Sequence, residues 1–342
     1  MRYYILATVK FANECIENGT YGATNSNWLA NIELGDLVLI SQFNYKSQNI
    51  YGPFKVTETL FYDKNIIYPN QKYYYRIKLD PRKVKAIDET DLYLNGIRNG
   101  NIELAYYIIN LIQQNKHLHS ISLVEQEGSF ILETIEKIGK KSKIKSNNSY
   151  SLDFKAQEVN TNFLANKNKL SKKLSFSSEG DLEAFILLNL KNENGHLYRQ
   201  FNNIMANFPK NRLENSEIYN QFIFGNAYPA DITIINDENI NIFELKKDCL
   251  GQNLFSILRK EIKKYCYYSL FSKRIKKQNI KRMNFFVLVL KNDNEKLEKD
   301  LYSEFDNIVY PINTFRENNL IILEYCIKGD QLFIEKKLIF AI

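Results

Sequence analysis

Two β-branched apolar runs, Ile232–Ile235 and Ile240–Phe243, flank the polar cluster Asn236-Asp237-Glu238-Asn239. Asn and Asp between such runs mark a turn, so the stretch is expected to be a β-hairpin. Its register can be counted. With Asp237 and Glu238 as a two-residue loop, Asn236 faces Asn239, and stepping outward sets Asp231 opposite Glu244. Side chains alternate along a strand, so Glu244 and Lys246 share a face while Leu245 points the other way. One local element thus gathers two carboxylates and an ammonium. Neighbouring acids repel unless a cation lies between them, and an oxygen-liganded Mg²⁺ (or Mn²⁺) suits that place.

The flanking stretches carry further chemistry. Upstream, Ser177-Ser178-Glu179-Gly180-Asp181-Leu182-Glu183 has an N-cap candidate and acids in the first turn, before a helical apolar pattern. Glu179 and Glu183 are four apart and share a helix face. Downstream, residues 253–271 read as a helix containing Glu261 and Tyr265, followed by a basic run with Lys273, Arg274, Lys276, Lys277, Lys281 and Arg282. That charge density suits a nucleic-acid backbone, although a solvated loop accounts for it equally. Residues 284–290 form a continuous apolar run, typical of a strand covered on both faces. Residues 320–327 and 332–340 read as a closing hairpin around Lys328-Gly329-Asp330.

Pro229-Ala230-Asp231, twelve residues, then Glu244-Leu245-Lys246 resembles the core motif of the PD-(D/E)xK nuclease superfamily. An ordinary hairpin with a solvated ion pair would carry the same three residues. The order helix, hairpin, helix, strand is also that of the nuclease core. The resemblance implies a restriction-endonuclease-like α/β domain with a central mixed sheet. In it Asp231 and Glu244 ligate Mg²⁺, with the Leu245 carbonyl as a further ligand. Lys246 would act on the attacking water or the developing phosphorane charge, and Glu179 or Glu183 would supply the helix acid. Glu261-x-x-x-Tyr265 is a partial match to the Gln-x-x-x-Tyr of some family members, with an acid replacing the amide.

Residues 1–85 read mostly as strands: Tyr3–Val9, Asp36–Ser41, Gly52–Thr57 and Tyr73–Leu79, separated by Gly- and Asn-rich turns. Many short strands of this kind suggest a small β-barrel, followed by helices at 102–115 and 129–138. Residues 2–8, Tyr21-Gly22-Ala23-Thr24, 34–41, 50–56 and 121–132 resemble the PUA-like superfamily, particularly the YTH and EVE modified-base readers. The resemblance implies a pocket that takes one flipped, often methylated, base between aromatic rings. Tyr21 stands where the YTH pattern has Trp, and Asn13 lies near a base-contacting amide. Trp28 is a further aromatic candidate. Core packing under a loop is the alternative for Tyr21 and Trp28.

The chain of 342 residues is long enough for two cores. The expected organisation is α/β and α+β: a PUA-like small barrel with helices at 1–138, a basic linker at 139–175, and a nuclease domain at 176–342. A net charge of +7 favours an anionic partner. Cys15, Cys249, Cys266 and Cys326 form no CxxC pair, and His117, His119 and His196 are too few for a His-based zinc site. The scattered cysteines fit a reducing cytoplasm. No signal peptide or apolar membrane span is evident. Together the two resemblances imply a modification-dependent DNA endonuclease of the type IV restriction kind, serving antiphage defence. A homodimer is expected if both strands are cut. The alternatives are a DNA-repair or RNA-directed nuclease, and a nucleic-acid-binding protein with an inactive core.

Overall fold

The computed structural model describes residues 1–43, 48–82, 84–142, 164–165, 175–225, 229–249, 260–261, 264–265, 274–275, 280–291 and 317–341. The chain divides into two compact units, Met1–Asn160 and Thr161–Ile342. Each is a mixed α/β body with its own sheet. Most of the stretch expected to be a linker lies outside the described residues.

In the first unit the strands are β1 (Tyr3–Thr8), β2 (Thr20–Ala23), β3 (Leu37–Phe43), β4 (Gln48–Tyr62), β5 (Tyr75–Asp80), β6 (Lys85–Asp88), β7 (Ser120–Leu123) and β8 (Lys140–Lys141). The helices are α1 (Ala12–Asn18), α2 (Asn27–Ala30), α3 (Glu89–Arg98), α4 (Ile102–Gln114) and α5 (Glu125–Ile138). Main strand order is β2-β5-β4-β3-β1-β7, with β6 branching from β4 and β8 pairing with β6. The long β4 serves three partners in turn: β3 and β6 along its first half, β5 along its second. The ladders among the described residues do not close the expected barrel. Among the described residues no pairing joins β2 to β7; instead the Tyr21 hydroxyl on β2 lies 2.6 Å from the Ala7 carbonyl and 2.9 Å from that of His119. The phenol bridges the seam, with Tyr21 only 2% exposed.

The second unit holds a short pair, β9 (Leu164–Ala165) with β10 (Ser175–Phe176), then α6 (Glu179–Leu190) and α7 (His196–Met205). A six-stranded sheet follows in chain order: β11 (Glu217–Ile223), β12 (Pro229–Ile235), β13 (Asn239–Cys249), β14 (Arg282–Leu290), β15 (Glu317–Lys328) and β16 (Gln331–Ala341). The pairs β13/β14 and β14/β15 are parallel and the others antiparallel, so the sheet is mixed. Gly329, at φ +66°, supplies the left-handed residue of the tight β15–β16 turn. Ser178 caps α6, its hydroxyl accepting from the Asp181 N–H at 3.1 Å. Register in the parallel part is held by buried amides. Asn241, Asn284 and Asn319 lie side by side on β13, β14 and β15, linked at 2.9 and 2.8 Å. A one-residue slip would separate all three and leave buried amides unpaired. Of the expected helix at 253–271, residues 260–261 and 264–265 are described, and they are helical.

Candidate functional site

In the second unit the site grows from the hairpin. Ile232 pairs with Phe243 and Ile235 with Ile240, the counted register, which continued outward sets Asp231 against Glu244. Both oxygens of each central carboxylate are engaged. Asp231 Oδ2 accepts from the Leu245 N–H at 2.8 Å, and Oδ1 lies 3.4 Å from the Gln221 amide nitrogen. Glu244 Oε1 is 2.7 Å from Lys246 Nζ, and Oε2 accepts from the Tyr265 hydroxyl at 3.0 Å. Glu179 reaches Lys246 at 3.6 Å, while Glu183, four residues on, takes the Gln221 amide at 2.8 Å. Both helix acids therefore join the site, on different partners. Glu261 stands 3.8 Å from Lys246.

Crowding so many acids has an electrostatic consequence. Burial, then Glu244 and Glu183, hold the Asp231 carboxyl well above the usual range, with Lys246 and the Leu245 N–H opposing. Burial and Glu244 push Glu261 up to about 7, and burial also raises Glu179. Burial alone would lower the Lys246 ammonium, but Glu244, Asp231 and Glu179 outweigh it and raise its pKa. Glu244, Glu179 and Glu261 thus stand within 3.8 Å of the Lys246 ammonium, while Asp231 and Glu183 share the Gln221 amide. An all-oxygen donor set of this kind suits a hard divalent cation. Among the described residues no three acids are already drawn together as a metal cage, and Lys246 stands against Glu244.

Gln221 escaped the sequence reading, and its one trace there is the amide pair Asn220-Gln221 interrupting the apolar run 218–224. Of the basic residues expected to contact a nucleic-acid backbone, Arg274, Lys281 and Arg282 are described. Lys281 and Arg282 pair with Glu238, and Arg282 also with Glu317. Arg282 is level with Asn239, roughly 17 Å along β13 from Glu244 at the usual strand rise. Arg274 is buried, donating to the Ile223 carbonyl at 2.8 Å and stacking 4.4 Å from the Phe222 ring centre. Each of these three has a partner within the protein. Lys273, Lys276 and Lys277 lie outside the described residues.

In the first unit a cavity of about 390 Å³ opens among Phe11, Tyr21, Tyr68, Tyr73, His119 and Lys10. Its size falls in the usual range for small-ligand sites. The rings meet edge to face: Tyr73 lies 5.3 Å from His119, 5.4 Å from Tyr68 and 6.0 Å from Phe11. Gly22 permits this approach, since a Cβ there would fall 2.8 Å from the Tyr68 ring and 2.9 Å from Tyr73 Cβ. Burial pushes the His119 imidazole down to about 4, so it is neutral at physiological pH. Beneath the wall, Arg76 is 1% exposed and donates to Asp63 Oδ2 at 2.5 Å and to the Tyr73 carbonyl at 2.9 Å. Of the three base-contacting candidates, Tyr21 lines this cavity. Asn13 is exposed on α1, and Trp28 packs against the core 5.9 Å from the His119 ring. Neither Asn13 nor Trp28 is among the lining residues. Phe11, Tyr68, Tyr73 and His119 were missed because they come from separate loops.

No family model and no curated protein matches the chain. Among solved structures, its N-terminal part is similar to human THYN1 in complex with 5-methylcytosine-containing DNA, at 16% identity over 40% of this chain and 99% of that one, TM-score 0.30. A protein from Pseudomonas putida is similar at 12% identity over 39% of this chain and 98% of its own, TM-score 0.28. A hypothetical protein from Leishmania major is similar at 18% identity over 40% and 95%, TM-score 0.28. Among the described residues no helix is long and apolar enough to cross a membrane.

Proposed function

We propose that the chain is a divalent-metal-dependent endonuclease that acts on DNA carrying a modified base. The PUA-like unit would hold that base, and the restriction-endonuclease-like unit would hydrolyse the backbone. The observation that carries this reading is the chain of contacts joining Asp231, Glu244 and Lys246 to the α6 acids, Glu179 through Lys246 and Glu183 through Gln221. Asp231, Glu244 and Glu183 would hold the cation, with Glu179 alongside Lys246. A bound Mg²⁺ or Mn²⁺ supplies charge against the scissile phosphate and makes a water more acidic. Lys246 then places its ammonium beside the developing phosphorane charge. Tyr265 fixes one Glu244 oxygen and the Leu245 N–H fixes one of Asp231, so neither carboxylate rotates freely. In the first unit, a neutral His119 and the Tyr73, Phe11 and Tyr68 rings suit the uncharged, flat base of a nucleotide. Lys10 at the rim suits its phosphate.

The test is incubation with methylated, hydroxymethylated and unmodified DNA, and with RNA, in the presence of Mg²⁺. Cleavage of modified DNA is expected, falling about 100-fold or more in Asp231→Ala and Lys246→Ala while DNA binding persists. Cleavage retained in both variants removes the catalytic assignment. A second reading, a base-binding protein with an inert core, draws on the contact between Lys246 and Glu244 where a cation would sit. Calorimetric titration separates the two, because the inert core takes up neither Mg²⁺ nor Mn²⁺.

A further inference from the structure

Gln221 has φ of +48°, the left-handed region, in the middle of strand β11. A residue with a Cβ seldom stays there unless its surroundings hold it, and such outliers concentrate where geometry matters. The ladder is regular on either side, with Asn220 opposite Ile232 and Phe222 opposite Ala230, so the distortion is confined to the residue facing Asp231. What it achieves is visible in the side chain. The amide nitrogen carries two hydrogens, and it lies 2.8 Å from Glu183 Oε2 and 3.4 Å from Asp231 Oδ1. One helix acid and one strand acid therefore share a single donor, while the Leu245 N–H holds the far oxygen of Asp231. Gln221 itself is 8% exposed.

The chemistry of the donor is informative. A Lys or Arg here would pair the two acids and cancel their charge. An amide orients them and leaves their charge intact. We propose that Gln221 is a positioning residue of the carboxylate centre, its left-handed backbone aiming one neutral amide at Glu183 and Asp231 so that both face a divalent cation together. This deepens the nuclease reading and rests on it. It also gives Glu183 a role distinct from Glu179: the clamped acid beside Asp231, against the acid that faces Lys246.

Two variants of the full chain test this, Gln221→Gly and Gln221→Met. Glycine adopts φ +48° readily, so Q221G is expected to melt within a few degrees of the parent without metal. Its Mn²⁺ affinity, read by calorimetry, is expected to fall about 10-fold or more, with kcat falling alongside and KM for DNA unchanged. Methionine keeps the length and the backbone demand but has no donor, so Q221M shows the same loss of affinity even if the glycine variant folds poorly. A purely structural role would lower the melting temperature and leave Mn²⁺ affinity intact, and that result overturns the proposal. A parent protein that binds no Mn²⁺ and cuts no DNA removes the nuclease reading and this proposal together. An active parent with fully active variants removes only the proposal.

Discussion

Around His119 in the first unit, buried polar groups are neutral or matched within the protein. The Tyr21 phenol donates to backbone carbonyls, the imidazole is uncharged, and Arg76 is paired with Asp63 beneath the cavity wall. Around Asp231 in the second unit, Glu244, Glu179 and Glu261 share one lysine while Asp231 and Glu183 share a neutral amide, and Asp231, Glu261 and Glu179 have raised pKa values. The first arrangement is finished without an ion. The second gathers acids whose raised pKa values report the cost of holding several negative charges together in a partly buried place, a cost that an added cation would offset. A neutral aromatic cavity suits a flat ligand, and a cluster of carboxylate oxygens suits a hard cation.

The largest expected effect attacks the internal matching of the first unit. Arg76→Met leaves Asp63 buried without its cation, which should destabilise the unit by about 3–5 kcal/mol. Thermal unfolding would read this as a fall of roughly 10 °C, and an unmoved transition would show that the pair contributes nothing. Next, Tyr73→Ala removes a partly exposed wall of the cavity. Binding of a modified oligonucleotide, followed by fluorescence, should weaken by about 1–3 kcal/mol with little change in melting. Unchanged affinity would place the ligand elsewhere.

A smaller effect separates the units by pH. The His119 pKa is lowered from 6.5 to about 4 on folding. Between those values the unfolded chain binds the extra proton, so stability rises with pH; it is fully present above 6.5 and lost on acidification towards 4. His119→Gln should flatten that slope in melting curves from pH 4 to 7, and an identical slope would assign it to other groups. Last, Glu261→Gln removes one like charge from beside Glu244. The metal-free protein should melt about 2–4 °C higher, and a lower melting point would contradict the excess of charge in the second unit.

How much was legible varied with the range of the interaction. The Asp231–Glu244 register followed from alternation and one turn, and the hairpin has that register. The β15–β16 hairpin around Gly329 and the helix α4 were read the same way, from period and turn chemistry within a dozen residues. Strand β2 was not, because it lies inside the Gly- and Asn-rich stretch 18–27 and becomes a strand only by pairing with β5, more than fifty residues on. Lys281 and Arg282 read on sequence only as part of a basic run, and the fold sets them beside Glu238 and, for Arg282, Glu317.

Local alternation along one hairpin is enough to bring Asp231, Glu244 and Lys246 into one place, because neighbours in the chain cannot avoid each other. The rest of the site depends on where distant segments dock. Gln221 meets Glu183 and Asp231 only after α6 and β11 have packed around the hairpin. Tyr265 meets Glu244 only once its helix has docked. In the first unit, Phe11, Tyr68, Tyr73 and His119 form one cavity although they come from loops more than a hundred residues apart at the extremes. Periodicity is a property of short range, whereas these contacts depend on sheet register and packing, which no local pattern encodes.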